Sequence, residues 1–438
     1  MITRSWNVVF IAPVLLFLLV LLAGCTQTPA IQPPQTPAGG LFETPTTSAL
    51  NSGSGIADSN NRFSASLYRT ITKGAENAGS NVFFSPFSIS SALALTFEGA
   101  RGTTADEIRS VFFFPANESV LRQGFNATNA AINQRNAGYT LSTANALWAE
   151  NTSAFLPEYT NIAEQYYGAN TTNLDFIGQP DTSRQIINAW VADRTNNKIQ
   201  NLLPEGSISP ATRLVITNAV YFKGTWEKQF DPNQTTDTPF TKPDGTTVVA
   251  SMMQKTDKDA VYPYAETADL QMLTLPYTAT NGTGLSMIVL LPKGNDLSAI
   301  DLYLDPANLS ALEQSASSRR VTVYIPKFKI ESQYSLKETL STMGMPTAFS
   351  TAADFSGMDG ARDLYISDVI HKACIEVNEE GTEATAATGV VMNMAAVASG
   401  SEPPVPVFRA DHPFVFFIQE NNTGTILFTG RVTDPTSG

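Results

Sequence analysis

A chain of 438 residues has the length of two or three average domains, but no linker-like stretch interrupts it after about residue 57, so one large domain is the simpler organisation. Hydrophobic residues at 42%, with only 15% charged, are enough for a sizeable core and exclude a disordered chain. The formal net charge of −13 excludes the clustered Lys and Arg that nucleic acid requires and favours a soluble surface that repels anionic ones.

The first predicted element is a processing signal. After Arg4 the run 8–23 is almost wholly apolar and ends in Leu22-Ala23-Gly24-Cys25, which looks like a bacterial-type lipobox: residues 1–24 are cleaved and the Cys25 thiol is lipidated. An ordinary cleaved signal peptide and an uncleaved anchor are the alternatives, although the run is short of the ~20 apolar residues of a spanning helix. All three export the domain, the lipid form holding it on the outer face of the cell membrane. Residues 25–60, rich in Thr, Pro, Ser, Gly and Gln, bury too little apolar surface to offset their ordering entropy and read as a tether. The globular domain is then 61–438.

Apolar spacing predicts helices over 63–77, 88–98, 104–112 and 184–199, the last capped by Asp181 or Thr182. Strands are predicted over 214–222, 286–291, 321–328 and 375–378, and in two apolar C-terminal runs, 408–418 and 424–432. Helices placed ahead of largely antiparallel strands imply an α+β fold. With Cys25 assigned to processing, Cys374 stands alone; no intramolecular disulfide is expected, and it reads as a buried structural thiol.

Between the last strands lies Glu379-Glu380-Gly381-Thr382-Glu383-Ala384-Thr385-Ala386-Ala387-Thr388-Gly389, small and uncharged after its acidic opening except at Glu383. With period two, one face carries Thr382, Ala384, Ala386, Thr388, Val390 and Met392, and the other Glu383, Thr385, Ala387, Gly389, Val391 and Asn393. The first face is free to enter a sheet. Alanine and glycine are poor strand formers, however, and composition alone describes a flexible surface loop equally well.

Catalytic motifs are missing: there is no G-x-S-x-G elbow, phosphate-binding loop, H-E-x-x-H or Cys pair at zinc spacing. A Ser-His hydrolase would have to use His371 or His412, the two histidines of the chain. His412, beside Pro413 at a strand start, reads as structural.

Several runs together resemble the serpin family of serine protease inhibitors. They are Asn81-Val82-Phe83-Phe84-Ser85-Pro86-Phe87-Ser88-Ile89-Ser90, Gly99-Ala100-Arg101-Gly102-Thr103-Thr104, Thr217-Asn218-Ala219-Val220-Tyr221-Phe222-Lys223-Gly224-Thr225-Trp226, Ile325-Pro326-Lys327-Phe328, the Glu379-x-Gly381-Thr382 hinge and Phe408-x-Ala410-Asp411-His412-Pro413-Phe414. The resemblance covers nearly the whole globular part; with the lipobox it implies a prokaryotic-type, membrane-tethered lipoprotein form. It implies a serpin fold, α+β, with helices packed on mainly antiparallel β-sheets and an exposed reactive loop at about 379–406.

The function so implied is not an enzyme but an irreversible suicide-substrate inhibitor, a monomer without cofactor or metal that forms a covalent 1:1 complex with a serine protease. By the same resemblance the loop hinge is Glu379, Gly381, Thr382, Ala384, Ala386 and Thr388. The scissile bond, sixteen residues beyond Glu379, joins Ala395 to Ala396, which suits elastase-like or subtilisin-like proteases, and Met394 is the next candidate, suiting chymotrypsin-like ones. Ser85, Ser88, Asn218 and His371 form a polar cluster beneath the sheet that opens, although Ser85 and Ser88 alone read as a helix cap and a core serine. Glu379 pairs with Lys327 near Trp226 to hold the hinge. The alternative is a non-inhibitory carrier, scaffold or chaperone of the same fold, but such relatives tend to carry bulky, charged or proline residues in the hinge.

Overall fold

Helix α1 (Ser52–Lys73) begins inside the stretch expected to be tether as far as residue 60, so that boundary is corrected. Ile56, Phe63, Leu67 and Ile71 are buried at helical spacing, and the two asparagines between them are structural clips. Asn60 Nδ2 donates to the Ile426 carbonyl at 2.8 Å, and Asn61 Oδ1 accepts from the Ile426 amide at 2.9 Å. The structure, a computed structural model, describes residues 52–74, 77, 79–133, 138–279, 284–382 and 404–437.

Strand β1 (Val82–Phe84) leads into α2 (Pro86–Gly99), whose N-terminus is fixed by Pro86 and by the Ser85 hydroxyl accepting from the Ser88 amide. This helix is buried along its whole length. Next come α3 (Gly102–Phe112) and an unforeseen α4 (Glu118–Ile132), capped by the Asn117 side chain. Then follow β2 (Tyr139–Glu150), α5 (Pro157–Ile162), β3 (Asn170–Leu174), α6 (Pro180–Arg194) and β4 (Leu214–Thr225). Helix α6 lies earlier than the expected 184–199. Pro180 sets its first turn, Asn196 and Asn197 end it with left-handed φ of 52° and 59°, and Asp181 is not its cap but binds Arg184 at 2.7 Å.

The second half contains β5 (Thr236–Thr241), β6 (Thr247–Lys255), β7 (Val261–Glu266), β8 (Leu270–Pro276) and β9 (Leu285–Pro292). Helix α7 (Pro306–Ser315), β10 (Ser317–Arg320), β11 (Thr322–Pro326) and β12 (Phe328–Ser335) follow. The single strand expected over 321–328 is therefore two strands, and they belong to different sheets with Lys327 at the crossing. The chain ends through α8 (Lys337–Met343), α9 (Ser356–Asp359), β13 (Ile366–Val377), β14 (Gly381–Thr382), β15 (Val407–Arg409), β16 (Phe414–Glu420) and β17 (Ile426–Val432).

Among the described residues three sheets form, in the orders β1-β17-β16-β9-β8-β7-β10, β15-β11-β6-β5 and β12-β13-β14-β4-β2-β3. Most pairings are antiparallel. The main core joins α1 and α2 to the inner face of the third sheet, and a smaller cluster of Trp148, Ile187, Val191, Val215 and Ile370 lies under α6 on its outer face. Cys374 is only half-buried, because alternation along β13 turns it outward with Lys372 and Glu376.

Candidate functional site

The third sheet contains a seam. Strands β13 and β4 run parallel and pair directly from Ile366 opposite Leu214 to Cys374 opposite Tyr221. Above Cys374 they part, and β14 is wedged between them, antiparallel to both: Thr382 lies opposite Val377 on one side and Gly224 on the other. Only glycine fits at 381, since a Cβ there would stand 1.9 Å from the Gly224 carbonyl oxygen. Thr382 is fully buried and its hydroxyl meets that of Tyr277 at 2.8 Å.

The root of the loop is tied on every side. Lys327 Nζ lies 3.0 Å from Glu379 Oε2, and the Thr235 hydroxyl donates to Oε1 at 2.8 Å. Trp226 donates from its indole to the Asn378 carbonyl at 3.0 Å and from its amide to the Glu380 carbonyl at 2.9 Å, while its ring stacks on Tyr277 at 4.5 Å. Burial pushes the Glu379 carboxyl up, but Lys327 and Thr235 together outweigh it and hold the group below its usual range. The pair is asymmetric, with the Glu379 side chain 9% exposed and that of Lys327 41%, so loss of the lysine would leave the more buried carboxylate without its charge partner. Thr235 was not foreseen; its stretch reads as plain surface loop.

Midway down the seam, His371 of β13 faces Asn218 of β4 in register. The Ser85 amide donates to His371 Nε2 at 3.0 Å, so the ring proton must be on Nδ1, which donates to Asn218 Oδ1. Asn218 Nδ2 donates at 2.6 Å both to Ser88 Oγ and to Asn145 Oδ1, and Ser88 Oγ donates to Asn145 Oδ1 at 3.1 Å. The Ser85 hydroxyl donates to the Leu427 carbonyl at 2.7 Å. The four expected residues therefore meet, joined by Asn145, whose place in β2 sequence reading did not find.

Burial pushes the His371 imidazole down from 6.5 to about 3. The unfolded chain thus binds one more proton between those values, so this group's contribution is complete above pH 6.5 and is lost progressively as pH falls towards 3, at ~1.4 kcal/mol per unit. His412 works the other way. Although its burial opposes charge, Asp411 at 2.9 Å and the Pro292 carbonyl at 2.7 Å raise it, so its contribution fades as pH rises. The expected result is a pH-dependence of denaturant unfolding between pH 6.5 and 5 that flattens by about one proton in His371→Gln. An equal slope in the variant would assign the proton elsewhere.

Ala384, Ala386, Thr388, Met394, Ala395, Ala396 and Cys25 lie outside the described residues. Among the described residues no group of three or more His, Cys, Asp or Glu is placed to hold a metal, and no helix is long and apolar enough to cross a membrane.

A six-stranded sheet with a parallel seam, the start of a loop held between the seam's upper ends, and helices packed beneath define an α+β protein of the serpin fold. The chain belongs to the serpin family: the model described as serpin (serine protease inhibitor) matches residues 58–435. It is 40% identical to a bovine leukocyte elastase inhibitor, covering 87% of this chain and 99% of that protein. To a serpin-like protein of Methanosarcina acetivorans it is 39% identical, covering 98% and 99%. The structure of the Arabidopsis protein AtSerpin1, in its native stressed conformation, matches with a TM-score of 0.75 at 31% identity, covering 87% of this chain and 98% of that one.

Proposed function

We propose that this serpin is an irreversible suicide-substrate inhibitor of serine proteases with elastase-like or subtilisin-like specificity. The observation that carries the reading is the register of β14. One step forward along the loop is one step back along both β4 and β13, so six residues beyond Thr382, Thr388 comes level with Asn218 and His371. On the same face Ala384 meets Phe222 and Ile375, Ala386 meets Val220 and Ala373, and Val390 meets Ile216 and Val369, all buried positions. Small and apolar loop residues thus fall on the core. The other face brings Glu383 beside Lys223, in the outward row, and Ala387 and Gly389 beside Ala219, Thr217 and Ile370, where space is limited by the cluster under α6.

Continuing the count, Asn393 comes level with Ile366, where the paired part of β13 begins, so a cut after Ala395 gives a segment just long enough to fill the seam. The target serine attacks the Ala395 carbonyl, Ala396 leaves as the new amino terminus, and the acyl-enzyme forms. The freed segment then inserts as a central strand, carrying the protease along the sheet before deacylation. The names of the mammalian relatives, leukocyte elastase inhibitors, agree with small residues at the bond.

Incubation with pancreatic elastase and subtilisin is expected to give a covalent complex on denaturing electrophoresis. Mass spectrometry of the peptide released from it should begin at Ala396. A first residue outside 394–398 would sink the bond assignment, and clean cutting with no complex would leave the non-inhibitory alternative. For the chain's origin, we propose lipid attachment at Cys25 on the outer face of the cell membrane. Labelled palmitate is expected to enter the wild-type protein and not Cys25→Ser; equal labelling of both would refute it.

A further inference from the structure

A cavity of about 570 Å³ opens where the end of α2 meets α3, α4, α5 and α9, within the ~300–1,000 Å³ range of small-molecule sites. None of its lining residues lies in a strand. The wall holds three guanidiniums, of Arg101, Arg109 and Arg122, and four carboxylates, of Glu98, Asp106, Glu118 and Glu158. Arg122 is taken up by Glu98 at 2.6 Å and Glu118 at 3.3 Å. Among the described carboxylates Arg109 reaches only Asp106, at 3.5 Å and with the aspartate 76% exposed, while its Nε is buried with no partner among the described residues. Arg101 donates from Nη1 to the Glu98 and Ala100 carbonyls at 2.9 and 2.7 Å but forms no ion pair among the described residues. A Cβ at Gly357 would stand 2.3 Å from Arg101 Nη2, so glycine in α9 lets that guanidinium lie in the wall. The Glu158 carboxylate is exposed and has neither ion pair nor hydrogen bond among the described residues.

Three cations against four anions give an ion of either sign little net attraction from the wall as a whole. The individual groups are more selective. Arg101 and Arg109 lack a carboxylate for their free N–H groups, the buried Nε of Arg109 being costly to leave unpaired, and Glu158 lacks a cation. Phe97, Ala105, Leu156 and Ile162 add apolar wall, and Leu156 is one of the exposed large apolar side chains of the protein. We infer that this cavity binds a zwitterion with an apolar side chain, a free amino acid or a dipeptide. Its carboxylate lies against Arg109 and Arg101, its ammonium against Glu158, and its side chain against Leu156 and Ile162. The site is independent of loop insertion, and its ligand ties α3 to α5.

Calorimetric titration of the full chain with leucine, phenylalanine and leucyl-leucine is expected to give saturable binding for at least one. The N-acetyl derivative of that ligand, which lacks the ammonium, and its amide, which lacks the carboxylate, should each bind at least ten-fold more weakly. Arg109→Gln and Glu158→Gln should each weaken the zwitterion about ten-fold. Because Glu158 is exposed and unpartnered, its variant keeps the test valid if Arg109→Gln misfolds. No saturable binding of any of the three ligands overturns the site. Equal binding of the N-acetyl or amide form overturns the zwitterion, and native affinity in a folded variant places the ligand elsewhere and overturns the assignment. Since neither protease nor loop cutting enters the titration, its outcome stands apart from that of the proposed inhibition.

Discussion

A single cut after Ala395 is expected to raise the midpoint of thermal unfolding by tens of degrees. Insertion as proposed would exchange the parallel pairing of β13 with β4, from Ile366 to Cys374, for two antiparallel interfaces along residues 383–393. A central strand bonds on both sides, so the exchange gains on the order of ten hydrogen bonds beyond those lost, at ~1 kcal/mol net each. Antiparallel pairing is also slightly the more stable. A gain on the order of 10 kcal/mol corresponds to roughly 20–40 °C at the 2–4 °C per kcal/mol typical of domains of 150–250 residues, and to somewhat less in a larger one. On the proposed mechanism the uncut form is held kinetically, because the His371–Asn218 bond must break before anything is regained. Differential scanning calorimetry before and after cutting by a protease that escapes trapping checks this; an unchanged midpoint would mean that the loop does not insert.

The parts of this molecule legible in the sequence are those where one local pattern decides the outcome. Strand β4 is buried along nearly its whole length and reads as an apolar run; α2 carries Ser85 and Pro86 at its start, signals that act within one turn. The hinge pair Lys327–Glu379 was legible only as a family resemblance, because its partners lie in two connections far apart in sequence, between β11 and β12 and between β13 and β14. Misreadings arose where tertiary burial overrode composition. Residues 52–60 look like linker, yet Ile56 is buried and Asn60 and Asn61 bind Ile426 across the fold. The run 321–328 is uniformly strand-like, and nothing local shows that it changes sheets at Lys327. Strand β2 escaped because its Asn, Ser and Thr residues argue for loop, although Asn145 is polar for a reason: it completes the network around Asn218. The lesson is physical, since a polar residue buried among polar partners has no signature of its own in sequence.

Thr388→Arg is expected to convert the inhibitor into a substrate. If the proposed insertion continues the register of β14, this side chain would enter the seam between Asn218 and His371, two fully buried residues. A threonine hydroxyl can take over the hydrogen bond that those residues exchange in the closed sheet, so the polar groups remain satisfied in both states. A guanidinium cannot: the imidazole there is held neutral by burial, no carboxylate is among the cluster's partners, and an unpaired buried charge costs several kcal/mol. At 1.4 kcal/mol per factor of ten, insertion slows by roughly a hundred-fold or more, and hydrolysis of the acyl-enzyme wins. Thr382→Arg is a less clean test, because Thr382 is already buried against Tyr277 and the substitution would also disturb the closed form. Thr388→Ser should behave as the native chain, and Thr388→Val, which leaves His371 and Asn218 without a partner after insertion, should lose ~1–3 kcal/mol of the stability gained on cutting while still forming some complex. Denaturing electrophoresis after reaction with subtilisin reads all three: Thr388→Arg should be cut completely with the protease recovered active, and a complex yield equal to that of the native chain would exclude insertion through the seam as the trapping step.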